Sequence, residues 1–311
     1  MRKSLVASLV LTLAACSAPG TEGLRPFSKA SFSLEDHPLA GVIWDVQGAR
    51  AIDEETLVAR LLTADVAILG EVPDNRRHHE RQARLVAKLK PEGIAFEMVP
   101  EGSEEGIEAF REQGGATAEI GPAIGWDRLG VPDWELYRPI FEAAPEAYVA
   151  GGAASNRELV VAIQQNAARA FGAGASRYGL TARPDARTQA ALEEEMIAAH
   201  CDRLPRDVAR GMAEAQRLRN ARFADATLRA LVRGDGNAVL IAGNSHARTD
   251  RGVPAYIAEA IDSVDVISLG QVEVIPDAKS AAEYAAVAET PYDYLWFSAR
   301  AKRPDRCAEF N

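Results

Sequence analysis

Short apolar segments rich in valine and isoleucine recur along this chain, separated by longer amphipathic stretches. The segments are residues 42–44, 66–69, 94–96, 148–150, 239–242 and 264–267. Their apolar residues follow one another without alternation, as is typical of parallel strands covered by helices on both faces. The stretches between them predict helices, including residues 53–63, 76–89 and 133–143. This order predicts an α/β fold with a mainly parallel sheet flanked by helices.

The alternation stops between about residues 155 and 235, where helical patterns at 189–199 and 207–232 follow each other with no strand segment between them. We interpret this stretch as a helical insertion or subdomain. It belongs to an α/β domain that we place at residues 41–311. The polar segment before this domain, with Pro26 and Pro38, predicts a tether over residues 16–40.

The first residues predict export and lipid attachment. Arg2 and Lys3 precede an apolar run at residues 5–15, which ends in small residues before Cys16. This order is typical of a signal peptide, residues 1–15, cleaved before a lipidated cysteine. The apolar run is too short to span a bilayer permanently. Because Ser17 rather than aspartate follows Cys16, we expect a lipid anchor at the periplasmic face of the outer membrane.

Charge and cysteine content narrow the functional classes. Without residues 1–15 the chain keeps 33 basic and 45 acidic residues, a net charge of −12, and shows no basic stripe, so nucleic acid is not an expected partner.

Two cysteines remain besides Cys16. In an oxidising compartment Cys201 and Cys307 are expected to form a structural disulfide. The alternative, a reactive thiol pair, lacks the CxxC spacing.

Polar side chains end three of the predicted strands. Glu71 follows the segment 66–69, Glu97 follows 94–96, and His246 follows 239–242. The carboxyl ends of parallel strands form the edge where open α/β sheets bind ligands. We therefore expect these three side chains to converge on one site, although each alone is also compatible with a helix cap or a structural residue.

The segment after Glu71 adds further polar groups. Asp74 or Asn75 can cap a helix whose first turns carry His78 and His79. The partial positive charge of a helix N-terminus suits an anionic ligand or lowers the pKa of a histidine. The alternative is a capped helix start that faces solvent.

Several ordered motifs resemble those of the ChaN-like haem-binding lipoproteins, and the similarity extends from about Val42 to Cys307. The matching stretches are residues 69–75 with His78, His79 and Gln82, residues 96–98, Trp126 with 132–137, residues 243–248 with 252–254, and the tail at 293–297 and 305–307.

This resemblance implies an α/β fold with a smaller helical part and a role in haem uptake or handling at the cell envelope. It also implies that a tyrosine holds the haem (iron protoporphyrin IX) in a homodimer that brings two haems face to face. An outer-membrane haem receptor is a further implied partner. The wider superfamily includes Tiki-type metalloproteases and erythromycin esterase-like enzymes, in which a Gly-x-x-His motif occurs twice and acts with glutamates.

The first of these motifs departs from the superfamily pattern. Pro73 stands where the histidine is expected, whereas the second motif is intact from Gly243 to His246. Proline cannot ligate a metal. Hydrolysis then depends on Glu71, Glu97 and His246 as ligands of a divalent metal ion and as catalytic residues, with His78 or His79 as substitutes.

Haem binding requires a ligand for ferric iron, and a tyrosine phenolate is suitable. Tyr178, beside Arg177 for pairing with a propionate, and Tyr137 are the predicted ligands, with His78 and His79 in the adjoining pocket. No CxxCH motif is present, so covalent attachment of haem is not expected.

We interpret the chain as a non-catalytic haem-binding lipoprotein. A metal-dependent hydrolase is the alternative, and a pocket for another small ligand is the third interpretation.

Overall fold

The computed structural model describes residues 36–305, 307 and 308, so the predicted signal peptide, Cys16 and most of the predicted tether lie outside the described residues. The strands of this part are β1 (Ile43–Asp45), β2 (Arg50–Ile52), β3 (Val66–Glu71), β4 (Gly93–Pro100), β5 (Tyr148–Ala153), β6 (Ala238–Gly243), β7 (Val266–Glu273) and β8 (Tyr294–Ser298). All six predicted segments overlap strands, although residue 42 and residues 264–265 lie just outside them, while β2 and β8 were not predicted.

The strands form one sheet in the order β2-β1-β8-β7-β3-β6-β4-β5. From β8 to β5 neighbouring strands are parallel, which confirms the predicted α/β fold with a mainly parallel sheet. At the other edge β1 is antiparallel to both β2 and β8. Four residues connect β1 to β2, and so short a connection allows only an antiparallel pair.

Helices cover the sheet on both faces. They are α1 (Glu54–Leu61), α2 (Arg76–Leu89), α3 (Glu104–Glu112), α4 (Ile120–Ile124), α5 (Trp134–Ala143), α6 (Asn156–Gln164), α7 (Ala167–Phe171), α8 (Ala186–Ala199), α9 (Arg206–Gly234), α10 (Asn244–Ala247), α11 (Val253–Ala260) and α12 (Ala281–Val287). Short 3-10 helices occur at Thr117–Glu119, Trp126–Arg128 and Ala175–Tyr178. Among the described residues no helix has the length and apolarity needed to cross a membrane.

Two apolar layers, one on each face of the sheet, explain the unbroken apolar strands. Ile68 packs in the layer that contains Phe223 of α9, whereas its neighbour Leu69 packs in the layer that contains Leu85 of α2. Successive side chains of a strand point to opposite faces, so both must be apolar when both faces are covered. Complete burial of each such side chain contributes roughly 1.5–3 kcal/mol.

Between β5 and β6 the chain forms helices only, and α9 is the longest of them with 29 residues. Cys201, just after α8, forms a disulfide with Cys307 across 106 residues of sequence, with a Cα to Cα distance of 5.6 Å. The bridge attaches the C-terminal tail to the helical part of the chain.

Candidate functional site

Strand order places the predicted polar residues along one edge of the sheet. β6 lies between β3 and β4, and Gly243 at its end is in register with Glu71 of β3. On the other side, Ile241 of β6 is in register with Phe96, the residue before Glu97. The carboxyl ends of three adjacent parallel strands therefore carry Glu71, the turn leading to His246, and Glu97.

Gly70 is required by the close approach of the chain that follows β6. A Cβ atom at this position would lie 2.4 Å from Oδ1 of Asn244 and 2.9 Å from the carbonyl oxygen of Leu269. Asn244 in turn donates to the carbonyl of Gln271 at 2.6 Å. These contacts hold the turn before His246 against β3 and β7.

Glu71 forms a buried group with His79 and Tyr137, which we call the acid cluster. The Tyr137 hydroxyl donates a hydrogen bond to Oε1 of Glu71. The other carboxyl oxygen, Oε2, lies 3.4 Å from Nδ1 of His79. Among the described residues neither of these two atoms has a hydrogen-bond partner within 3.5 Å that satisfies hydrogen-bond geometry. All three side chains are buried, so the cluster is sealed from solvent.

The protonation state of the acid cluster follows from its contacts. Nε2 of His79 donates to the carbonyl oxygen of Pro73 at 2.9 Å, which leaves a lone pair on Nδ1 when the ring is neutral. Burial raises the pKa of the Glu71 carboxyl, although His79 and Tyr137 oppose the shift. A protonated Oε2 directed at Nδ1 places a hydrogen between two atoms that otherwise both only accept.

His78 has a different environment from His79. Its Nδ1 accepts the backbone N–H of Val72 at 2.9 Å, and its Nε2 donates to Oγ of Ser298 at 2.7 Å. Burial and the nearby Arg81 lower the pKa of His78 well below its ordinary value. The ring is therefore neutral with both nitrogens occupied, and it attaches the start of α2 to β8.

The second group consists of Glu97 and His246, which we call the pocket pair. Nδ1 of His246 donates to Oδ1 of Asn220 on α9 at 2.6 Å, so Nε2 carries the lone pair of the neutral ring. That Nε2 lies 3.6 Å from Oε1 of Glu97. The backbone N–H of Gly243 donates to Oε2 of the same carboxylate at 2.7 Å. Burial lowers the pKa of His246, which keeps the ring neutral.

Both members of the pocket pair border a cavity of about 120 Å³ between β4, β5 and α9. Its polar lining comes from Glu97, Asn156, Arg219 and His246. Its apolar lining includes Met98, Leu129, Val131, Leu159 and Phe223. An apolar wall with a few polar groups is typical of sites for small ligands and cofactors.

The two predicted tyrosine ligands do not line this cavity. Tyr178 is buried and donates to Oδ1 of Asp225 at 2.7 Å, while Tyr137 belongs to the acid cluster. Burial, together with the carboxylate partner, raises the pKa of each hydroxyl. Arg177 is exposed, with its guanidinium carbon 5.6 Å from the centre of the Tyr178 ring. Ligation of haem by either tyrosine remains a prediction.

The predicted metal ligands are divided between the two groups. Glu71 contacts Tyr137 and His79, whereas Glu97 contacts His246. Within residues 36–305, 307 and 308 no cluster of three or more His, Cys, Asp and Glu side chains is arranged to hold a metal ion.

Two residues of this site, Asn220 and Arg219, were missed in the sequence. Both lie in the middle of α9, 26 and 27 positions before His246, and neither belongs to a motif. Arg219 carries one signal: the residues three and four positions away along the helix are Ala215, Gln216, Arg222 and Phe223, none of them acidic. An arginine without an acidic helix neighbour is a candidate for a role outside its own helix.

Comparison with known proteins defines the class of this chain. The family model described as "Haem-binding uptake, Tiki superfamily, ChaN" matches residues 57–257. The match covers more than half of the 311 residues, so the chain belongs to this family of haem-binding uptake proteins, as the resemblance predicted. No curated protein matches the sequence.

Two solved structures are similar to this chain to different degrees. A structure of cofacial haem binding to the ChaN of Campylobacter jejuni superposes with a TM-score of 0.64 at 18% identity, covering 84% of this chain and 97% of that one. The type III effector HopBA1 superposes with a TM-score of 0.43 at 12% identity, covering 79% and 93%. The first similarity shows that this chain has the ChaN fold.

Proposed function

We propose that this protein binds haem at the pocket pair and takes part in haem uptake or handling at the cell envelope. The observation that carries the proposal is membership of the haem-binding uptake family over residues 57–257. We propose the pocket at the carboxyl edge of the sheet as its location, because the pocket combines apolar and polar lining residues.

The residues around this pocket have the chemistry that haem requires. A porphyrin needs an apolar surface, and Met98, Leu159 and Phe223 provide one. Its iron needs a lone pair, and Nε2 of His246 offers one because Asn220 holds the proton on Nδ1. Bound haem would supply the ferric iron that His246 ligates.

The size of the pocket limits how haem is held. Its volume of about 120 Å³ is well below the roughly 300–1,000 Å³ of pockets that enclose a ligand. A porphyrin contacting this pocket therefore keeps part of its surface outside. Cofacial haem binding in the Campylobacter jejuni ChaN supports a homodimer in which a second copy of this chain covers that surface.

Hemin titration tests this proposal. We expect hemin to change the Soret absorption of the wild-type protein until about one haem is bound per chain. His246→Ala should alter the Soret band, and the wild-type protein should form a dimer when haem binds. Tyr178→Phe and Tyr137→Phe test the two tyrosines as ligands, and an altered Soret band in either would move the iron site to that tyrosine. Absence of any saturable change in the wild-type protein would overturn haem binding.

We also propose that lipid on Cys16 anchors the protein to the periplasmic face of the outer membrane. The support is the sequence order of a short apolar run, small residues and a cysteine followed by Ser17. Such an anchor would keep the haem site within reach of an outer-membrane haem receptor. Labelling with a radioactive fatty acid should mark the wild-type protein but not Cys16→Ala, and a soluble unlabelled wild-type protein would contradict the anchor.

Metal-dependent hydrolysis is the second candidate, favoured by one observation. Asn220 orients His246 so that Nε2 lies on the side of the Glu97 carboxylate, an arrangement suited to proton transfer or metal ligation. Metal analysis of the wild-type protein, Glu71→Ala and Glu97→Ala separates the candidates. Hydrolysis requires near-stoichiometric metal in the wild type that both variants lose, and a metal-free wild-type protein would contradict it.

A further inference from the structure

Basic residues are concentrated on α2, although the chain as a whole is acidic. Residues 76–90 contain six arginine and lysine side chains and one acidic side chain, Glu80, whereas the full chain has a net charge of −10. Glu54 of α1 balances part of this charge, because it contacts two of the six basic side chains at 3.0 and 2.7 Å. The exposed basic residues of this stretch are Arg76, Arg77, Arg84, Lys88 and Lys90.

The C-terminal tail brings more positive charge to the start of α2. Arg303 contacts Asp74, two residues before the helix, at 2.6 Å. The exposed residues Arg300 and Lys302 lie between Arg303 and the end of β8. Together, α2 and the tail form a surface that we call the basic corner, which consists of Arg76, Arg77, Arg84, Arg300 and Lys302.

A buried arginine adds to the positive charge beneath this surface. The guanidinium carbon of Arg81 lies 4.5 Å from the centre of the Trp296 ring, and its nitrogens donate to two main-chain carbonyls of β8. Burial, together with the positive charges of Arg77 and Arg84, lowers the pKa of Arg81 to about 9, although nearby acids of α1 and α2 act in the opposite direction. The arginines of α2 therefore repel one another, and an anionic partner outside the corner would relieve this repulsion.

The N-terminal part of the chain enters the domain beside the basic corner. The carbonyl oxygen of Phe297 in β8 accepts hydrogen bonds from Arg81 at 2.9 Å and from the backbone N–H of Gly41 at 3.0 Å. Cys16 precedes Asp36, the first described residue, by 20 positions. A lipid on Cys16 would therefore be attached to the domain at this corner.

We propose that the basic corner docks on the surface of a lipid bilayer that contains anionic lipids. Such a surface attracts basic residues that a neighbouring anchor holds within a Debye length of it. It repels the acidic remainder of the chain, so it favours the orientation in which α2 and the tail face the membrane. The choice of a membrane over another acidic partner rests on the proposed lipid anchor, and docking adds an orientation to that anchor.

Co-sedimentation with vesicles tests docking without the anchor. The chain from Ser17 to Asn311 includes every described residue and carries no lipid. It should bind vesicles of phosphatidylcholine mixed with phosphatidylglycerol, and this binding should weaken as the salt concentration rises. Its binding to vesicles of pure phosphatidylcholine should be much weaker. The double variant Arg76→Gln/Arg77→Gln should bind the mixed vesicles roughly 30-fold more weakly, because two positive charges near the anionic surface are lost.

The double variant Arg183→Gln/Arg187→Gln is the matched control. It removes the same charge from exposed positions in or just before α8, which packs on α9 in the layer on the other face of the sheet from α2. Its binding to the mixed vesicles should stay within about twofold of wild type. Thermal unfolding of both double variants should match that of wild type, since all four side chains are exposed.

Equal losses of vesicle binding in the two double variants would overturn docking at the basic corner. Equal binding of the wild-type chain to both kinds of vesicle would overturn it as well. Binding that is specific to the mixed vesicles, in a protein that takes up no fatty acid label, would support docking and overturn the anchor alone. The two proposals therefore fail separately, and neither outcome depends on haem.

Discussion

The acid cluster and the pocket pair are built from similar residues at the same edge of the sheet, but their surroundings differ. The side chains of Glu71 and His79 are 0% and 2% exposed, whereas Glu97 is 15% exposed and borders a pocket with His246. Burial raises the pKa of the Glu71 carboxyl in the first region. In the second, a backbone N–H accompanies the carboxylate and Asn220 fixes the histidine. The acid cluster is therefore suited to stabilising the fold, whereas the pocket pair can contact a ligand.

The largest effect is expected from removing Tyr137 of the acid cluster. Tyr137→Ala should lower the free energy of unfolding by about 3–5 kcal/mol, because it leaves a cavity beside Glu71. Tyr137→Phe keeps the ring and should cost about 1–3 kcal/mol through the lost hydrogen bond. His246→Ala, at the wall of an existing pocket, should cost ~1 kcal/mol. Urea unfolding measures all three, and equal losses in Tyr137→Ala and His246→Ala would contradict the contrast between the regions.

Replacing Asn220, which we treat as a positioning residue for His246, should have a smaller effect. Asn220→Ala should weaken hemin binding by about 10- to 100-fold, as for other residues that orient a metal ligand. Asn220→Asp keeps an acceptor for Nδ1 and should recover most of the affinity. A matched loss in both variants would mean that the Asn220 side chain acts on folding and not on the ring, which their thermal unfolding would reveal.

The pH dependence of stability should have opposite signs in the two regions. The pKa of Glu71 is raised above 4.5 in the folded state, so its stabilisation is present below that value and is lost as the pH rises through the folded pKa. The pKa of His246 is lowered below 6.5, so its stabilisation is present above that value and is lost as the pH falls through the folded pKa.

Unfolding free energies of wild type, Glu71→Gln and His246→Gln across pH test these signs. The advantage of wild type over Glu71→Gln should shrink with rising pH. Its advantage over His246→Gln should grow with rising pH through the range below 6.5. Parallel pH profiles for the three proteins would contradict the assigned protonation states.

The sequence predicted much of the fold because burial on both faces demands unbroken apolar strands. The segments that became β3, β4 and β6 were recognised in this way, and their ends identified Glu71 and Glu97. Strand β2 was missed because it has three residues and is largely exposed, so its sequence lacks the apolar residues that mark a buried strand.

The candidate site was harder to predict because its chemistry depends on contacts distant in sequence. His78 and His79 are adjacent in the chain, yet one has both nitrogens occupied and the other faces Glu71. Asn220 determines which ring nitrogen of His246 carries the lone pair. It lies on a different helix and belongs to no sequence motif. The contacts of α2 with β3 and β8 show the first of these relations, and the packing of α9 beside His246 shows the second.

Resonance Raman spectroscopy of the reduced haem complex tests the central claim that His246 of the pocket pair holds the iron. We expect an iron–histidine stretching band in the wild type that shifts with ¹⁵N-histidine labelling and persists in His79→Ala. The band should disappear in His246→Gly and return when imidazole is added to that variant. A band that persists in His246→Gly without imidazole, or that disappears in His79→Ala while the protein remains folded, would contradict it.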